Sequence, residues 1–219
     1  MHDHPSSPAS PSVLQVRVAP LGLEGLLRIP SNAFGVVAFA HGSGSGRLSP
    51  RNNYVAEALG DAGIATLLFD LLTEQEAEDR RNVFDIALLA ERLGHAMRWL
   101  AGHEDTQRLP MGLFGASTGA AAALVAAAEA QGQVAAVVSR GGRPDLAAEA
   151  LSRVGAPTLL IVGGLDTTVL ELNRDAFARL RCEKALEIVP GATHLFEEPG
   201  KLQAVVALSR DWFRTHLAS

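Results

Sequence analysis

Five residues, Gly115-Ala116-Ser117-Thr118-Gly119, stand between an apolar run that ends at Phe114 and an alanine-rich run that begins at Ala120. A chain that passes from strand to helix within about one residue has few backbone routes open to it. The serine at the apex is forced into strained dihedrals, and its hydroxyl then stands clear of the sheet. Glycines at 115 and 119 fit this turn because a β-carbon at either place would collide with the neighbouring strand or helix. The segment therefore demands a buried strand, a sharp turn and a helix packed behind it.

The rest of the chain repeats the same alternation. Val13–Val18 and Glu24–Ile29 read as two short strands joined by a turn at Leu21-Gly22, an antiparallel edge hairpin. Gly35–Ala40 is a continuous apolar run, the pattern of a strand buried on both faces, Ile64–Phe69 is another buried strand, and Met111–Phe114, Val134–Val138, Thr158–Val162 and Ala185–Val189 read as further strands. Helices are expected at Pro50–Ala62, about Val83–Ala101, Ala120–Ala130, Pro144–Leu151, Thr168–Leu180 and about Gly200–His216. Phe84, Ile86, Leu88, Leu89, Leu93, Met97 and Leu100 supply an apolar face to the second of these. Strands that are apolar throughout, with helices between them, imply a mostly parallel sheet of about eight strands covered on both faces. The fold class is α/β.

No repeat, linker or composition break divides residues 13–219, which are read as one domain. Residues 1–12, rich in Pro, Ser and His, lack the apolar core of a signal peptide or membrane helix and are expected to form a disordered tail. The net charge of −5 and the absence of any basic tract longer than Arg80-Arg81 argue against a nucleic-acid partner. One cysteine, Cys182, excludes a disulfide framework, and its setting at a helix end suits packing. No membrane association, no metal and no organic cofactor are expected, the compartment is read as the cytoplasm, and a homodimer is left open.

A serine hydroxyl is a weak nucleophile that needs a base within hydrogen-bond reach, itself oriented by an acid. Two histidines follow Ser117. His194 lies in a loop after the last strand, whereas His216 sits near the end of the terminal helix, where a solvated side chain is the natural reading. His194 is the candidate base. Asp166 follows the strand Thr158–Val162 through Gly163-Gly164-Leu165 and is the candidate acid, with a helix N-cap as its competing role. Asp145 and Asp175 fall in predicted helices. Separations of 49 residues from Ser117 to Asp166 and 28 from Asp166 to His194 allow each to occupy its own strand-end loop.

The remaining requirement is a pair of N–H donors aimed where negative charge develops on the substrate oxygen. The amide of Thr118, next after the serine, is one. The loop His41-Gly42-Ser43-Gly44-Ser45-Gly46-Arg47 supplies the other, from Ser43 or else Gly44. A glycine-rich loop between strand and helix also suits phosphate, but this one lacks both a Gly-Lys-Ser/Thr ending and a Gly-x-Gly-x-x-Gly fingerprint.

With His41-Gly42-Ser43-Gly44, Gly115-Ala116-Ser117-Thr118-Gly119, Gly164-Leu165-Asp166 and Ala192-Thr193-His194 in place, the chain resembles the α/β-hydrolase superfamily. Within it, the chain is similar to the compact dienelactone-hydrolase-like branch, from about Val13 onward. The resemblance implies an α/β-hydrolase fold with little or no lid and a carboxylesterase that cleaves esters or lactones through an acyl-enzyme, without cofactor. Dienelactone hydrolase proper uses a cysteine nucleophile where this chain has Ser117, which favours a general serine carboxylesterase.

Arg140 and Arg47 are candidates to bind a substrate carboxylate, against structural pairing with Asp70, Asp85, Glu197 or Glu198. Thr73–Arg81 reads as a small cap or a solvated helix turn. Lacking a long apolar insertion, the chain is expected to take short acyl groups. Two further functions use the same residues: acyl transfer or perhydrolysis by the same three side chains, and ligand binding by a non-catalytic relative.

Overall fold

The computed structural model describes residues 13–218, so the expected tail at 1–12 lies outside the described residues. The strands are β1 (Val13–Val18), β2 (Leu23–Arg28), β3 (Gly35–Ala40), β4 (Ile64–Phe69), β5 (Met111–Ala116), β6 (Ala136–Arg140), β7 (Thr158–Gly163) and β8 (Lys184–Val189). They form one eight-stranded sheet in the order β1-β2-β4-β3-β5-β6-β7-β8. The β1–β2 hairpin is antiparallel and joins β4 antiparallel, and β3 to β8 run parallel to one another.

The α-helices are α1 (Pro50–Asp61), α2 (Glu74–Ala77), α3 (Ile86–Gly102), α4 (Thr118–Glu129), α5 (Thr167–Arg179) and α6 (Lys201–Leu217). Alternate strand residues feed two cores. Val36, Ala38 and Leu113 face a core shared with α3 and α4, while Val37, Phe39 and Phe114 pack toward α1 and α6. Ala120–Ala123 and Ala126–Ala128 are all buried, so the small side chains let α4 lie close to both β5 and α3.

Chain order reverses at the sheet's middle: the chain leaves β3 for β4 on one side and returns to β5 on the other. Such a switch point opens a crevice beyond the carboxyl ends of the two strands, the usual place for a ligand in an open parallel sheet. Here it lies between the loop His41–Ser49 and Ser117.

Several boundaries differ from those expected. The sixth strand begins two residues later, at Ala136. The long amphipathic helix starts at Ile86, because the Asp85 side chain accepts from the Leu88 N–H and caps it. Phe84, expected on its apolar face, falls in a preceding 3-10 turn and is exposed. Pro144–Arg153 is 3-10 rather than α, broken at Ala148, whose φ is 45°. Thr73–Arg81 includes α2, whose capping box pairs the Thr73 hydroxyl with the Glu76 N–H and the Glu76 carboxylate with the Thr73 N–H.

Candidate active site

Ser117 has φ 52° and ψ −123°, a conformation that costs a non-glycine residue about 1–3 kcal/mol. The neighbouring strand holds it there. The Ser117 N–H donates to the Arg140 carbonyl at 3.3 Å, and the Arg143 N–H donates to the Ser117 carbonyl at 3.0 Å. A β-carbon on Gly119 would overlap the Ala40 carbonyl, and one on Gly115 would overlap the backbone of Ala120. The two glycines are thus required by close approach of β3 and α4 to the turn.

The structure brings His194 and Asp166 together: His194 Nδ1 lies 2.7 Å from Asp166 Oδ2, with Asp166 the less exposed of the two. A carboxylate at Nδ1 assigns the proton of the neutral ring to that nitrogen and leaves Nε2 as acceptor. Asp166 stands at the N-cap position of α5 but its side chain makes no capping hydrogen bond. The competing role expected of it is therefore absent, and its carboxylate serves the imidazole. Their loops are laced together by the Leu165 N–H, which donates to the Ala192 carbonyl at 2.9 Å. Gly163 permits this crossing, since a β-carbon there would lie 2.5 Å from the Ala192 carbonyl oxygen. His194 packs on Gly141, where a β-carbon would sit 3.6 Å from its Cε1, so the ring rests beside the strand end that anchors Ser117. His216 lies elsewhere, on α6, and is not solvated as expected: its largely buried ring is tilted against Trp212, with Nε2 3.7 Å from Glu183.

On the other side of Ser117, Gly42 passes so near that a β-carbon would sit 2.9 Å from Ser117 Cβ. The Ser43 N–H, an expected donor to the substrate oxygen, donates to Thr118 Oγ1 at 3.1 Å. The Thr118 N–H, at the first position of α4, has no acceptor within its own helix. Gly44, the alternative donor, takes φ 70° inside a turn closed by the Ser45 N–H on the Gly42 carbonyl.

His41 fixes this loop, a role the sequence reading did not give it. Its Nε2 accepts from the Leu71 N–H at 3.0 Å, so Nδ1 carries the proton and faces the Gly42 carbonyl at 3.0 Å. Burial pushes the His41 pKa below its ordinary value, against smaller upward effects of the Gly42 carbonyl and Asp70. The Thr118 hydroxyl was likewise missed. Polar residues one position after β3 (His41) and two after β5 (Thr118) were the available signal.

The arginines divide sharply. Arg47 pairs with both Asp70 and Glu24, Arg51 with Glu197 at 2.8 Å, and Arg143 with Asp145 at 2.7 Å. Arg47 therefore has the structural role weighed against substrate binding. Arg140 is 5% exposed and, among the described residues, has no carboxylate within salt-bridge distance. Its Nη2 donates to Asn52 Oδ1 at 3.2 Å, its guanidinium lies 5.9 Å from the Phe196 ring centre, and its Nε is buried without a partner. Burial, then the nearby Arg51 charge, lowers its pKa to about 10.

A cavity of about 260 Å³ opens beside the His41–Ser45 loop. Leu71, Leu72, Ala77, Val83 and Leu89 give it apolar walls, and Asp70, Thr73 and Glu74 also line it. Among the described residues, no helix is long and apolar enough to cross a membrane.

Residues 23–215 match the model of the dienelactone hydrolase family. A solved dienelactone hydrolase from Anabaena variabilis ATCC 29413 is 56% identical, with TM-score 0.92 over 95% of this chain and 99% of that one. Est1E from Butyrivibrio proteoclasticus shares the fold at 14% identity, with TM-score 0.79 over 94% of this chain and 99% of that one. A Mycobacterium tuberculosis (strain H37Rv) protein named "Putative phosphoribosyl transferase" is 60% identical over 204 residues, 93% of this chain and 46% of its own length. The chain thus spans about half the length of the curated relatives it matches. The strand–serine–helix turn, the sheet order and these matches agree: the chain belongs to the dienelactone hydrolase family, with the fold of an α/β-hydrolase.

Proposed function

We propose that this protein is a serine hydrolase that cleaves carboxylic esters or lactones through an acyl-enzyme. The observation that carries the reading is the 2.7 Å contact between His194 Nδ1 and Asp166, with the His194 ring against Gly141 and the positive-φ Ser117 bonded to the adjacent Arg140. Ser117 Oγ attacks the carbonyl carbon as its proton passes to His194 Nε2. Charge then builds on the carbonyl oxygen, where the Thr118 and Ser43 amides meet it, the Ser43 N–H turning from the Thr118 hydroxyl. The intermediate collapses by breaking the bond to the alcohol oxygen, which takes the proton from His194. Water repeats the cycle on the acyl-enzyme, regenerating Ser117 and releasing the acid. Asp166 keeps the imidazole in the required tautomer throughout. Arg140, a buried cation without a counter-ion among the described residues, fits a carboxylate on the substrate; Arg47, already doubly paired, does not.

The transferase name of the longer relatives suggests transfer of a phosphoribosyl group instead, and holding that group calls for a phosphate cradle. Here the glycine-rich loop commits two of its amides internally, Ser45 on Gly42 and Arg47 on Asp70. That favours ester hydrolysis for this part of those chains. The test is hydrolysis of a p-nitrophenyl ester series by wild type and Ser117→Ala at pH 7 to 8, with alcohol acceptors added to detect acyl transfer. Turnover that vanishes in the variant supports the reading; a folded wild type inert to all esters and lactones contradicts it.

A further inference from the structure

Resting on the reading of Ser117 as nucleophile, we infer that the cavity beside the His41–Ser45 loop is the acyl pocket, and that it takes a neutral apolar acyl group. The sheet order supplies the direction. Ser117 follows β5; His194 and Asp166 follow β8 and β7 on one side of it, whereas the cavity lies beyond β3 and β4 on the other. In the tetrahedral intermediate the alcohol oxygen must face His194 Nε2, which protonates it, and the carbonyl oxygen must face the Thr118 and Ser43 amides. The remaining substituent on that carbon is the acyl chain. It is directed away from His194, past Gly42, and Gly42 and Ser43 form the near wall of the cavity.

The walls define the chemistry. Leu71, Leu72, Val83 and Leu89 are apolar, no cationic side chain is among the described lining residues, and Arg47, two residues beyond Ser45, is bound to Asp70 and Glu24. Glu74 stands exposed among the lining residues and disfavours a carboxylate on the acyl chain. About 260 Å³ holds an acyl chain of roughly eight carbons, taking a methylene as close to the ~30 Å³ of one water. The short acyl groups expected from the sequence are thus the lower end of the range. The far wall is set by α2 and the 3-10 turn after it, through Ala77 and Val83. Arg92 holds that wall, reaching Glu76 at 2.6 Å.

The experiment measures kcat/KM for p-nitrophenyl esters from acetate to dodecanoate in wild type, Ala77→Phe and Val83→Ala. Ala77 is exposed, so phenylalanine there fills the cavity without crowding the core. In wild type, kcat/KM rises two- to fourfold per added methylene and levels off near octanoate, the fourfold limit being the rate equivalent of ~0.8 kcal/mol per buried methylene. Ala77→Phe lowers the octanoate value at least tenfold and leaves acetate within twofold; Val83→Ala moves the plateau to longer chains. A second series, acetate esters of lengthening alcohols, is unchanged by Ala77→Phe. The inference is overturned if both variants keep the wild-type acyl profile while Ser117-dependent hydrolysis persists. It is also overturned if Ala77→Phe discriminates by alcohol length, which would place the leaving group in the cavity. Absence of Ser117-dependent hydrolysis of any ester by folded wild type would instead remove the hydrolase reading, and the pocket assignment with it.

Discussion

The two flanks of Ser117 are built by different physics. Beyond β7 and β8, the geometry rests on one ionisable pair, Asp166 and His194, and on two loops that cross closely enough to need Gly163. Beyond β3 and β4 it rests on neutral hydrogen bonds from His41, Leu71, Ser43 and Thr118, and on an apolar wall. A fold that keeps these apart separates how fast a bond breaks from which bond is chosen. Changes to Asp166 or His194 should slow all substrates alike; changes to the apolar wall should discriminate among them by acyl chain.

The harshest break in this division comes from the first flank. Asp166→Asn should lower kcat by about 10⁴-fold for every ester, because the amide favours the wrong imidazole tautomer, with KM moving little. Steady-state kinetics on acetate and octanoate esters checks it; a loss confined to one ester would mean the flanks are not separate.

His41→Ala comes next, with kcat falling about tenfold to a hundredfold as the donor loop loosens. The Leu71 N–H also loses its acceptor, at about 1–3 kcal/mol of stability. Denaturant unfolding beside the kinetics separates the two effects, and His41→Gln, which restores an acceptor, should recover part of both.

Arg140→Met sharpens the comparison from beneath the first flank. Esters bearing a carboxylate on the alcohol portion should lose about tenfold in kcat/KM, the low end for a hydrogen bond to a charged group. Neutral esters should stay within about threefold. Equal losses for both would make Arg140 a structural tie between Asn52 and Phe196 rather than a contact to substrate.

The gentlest effect is on stability against pH. Burial lowers the His41 pKa, so the folded protein keeps the ring neutral at pH values where the unfolded chain, titrating near ~6.5, binds a proton. This contribution is complete above that value and is lost as pH falls below it toward the folded pKa. Thermal unfolding between pH 7.5 and 5 should fall more steeply in wild type than in His41→Gln; parallel curves would contradict it.

How much of this was legible in the sequence depended on how local each determinant is. The Ser117 turn was readable because both glycines act within four residues of it. The sheet was readable because its central parallel strands, β3 to β7, are buried on both faces. Asp166 and His194 were found by chain order, but their 2.7 Å contact depends on Gly163 meeting Ala192, a crossing between loops that no short window encodes. The role of His41 was hidden for the same reason: its partner is the backbone of Leu71, which carries no residue signature. Arg140 and Arg47 looked alike as loop arginines, and only folding brought two carboxylates to Arg47 and, among the described residues, none to Arg140. The break at Ala148 lies inside an ordinary helical pattern, and nothing in the structure explains it.

The central claim is that Ser117 carries the acyl group. It is tested most directly by rapid mixing with p-nitrophenyl butyrate, followed at once by acid quench and peptide mass spectrometry. The account predicts a burst of p-nitrophenolate stoichiometric with enzyme and a butyryl adduct on Ser117, both absent in Ser117→Ala. An adduct on another residue, or undiminished turnover in Ser117→Ala, would contradict it.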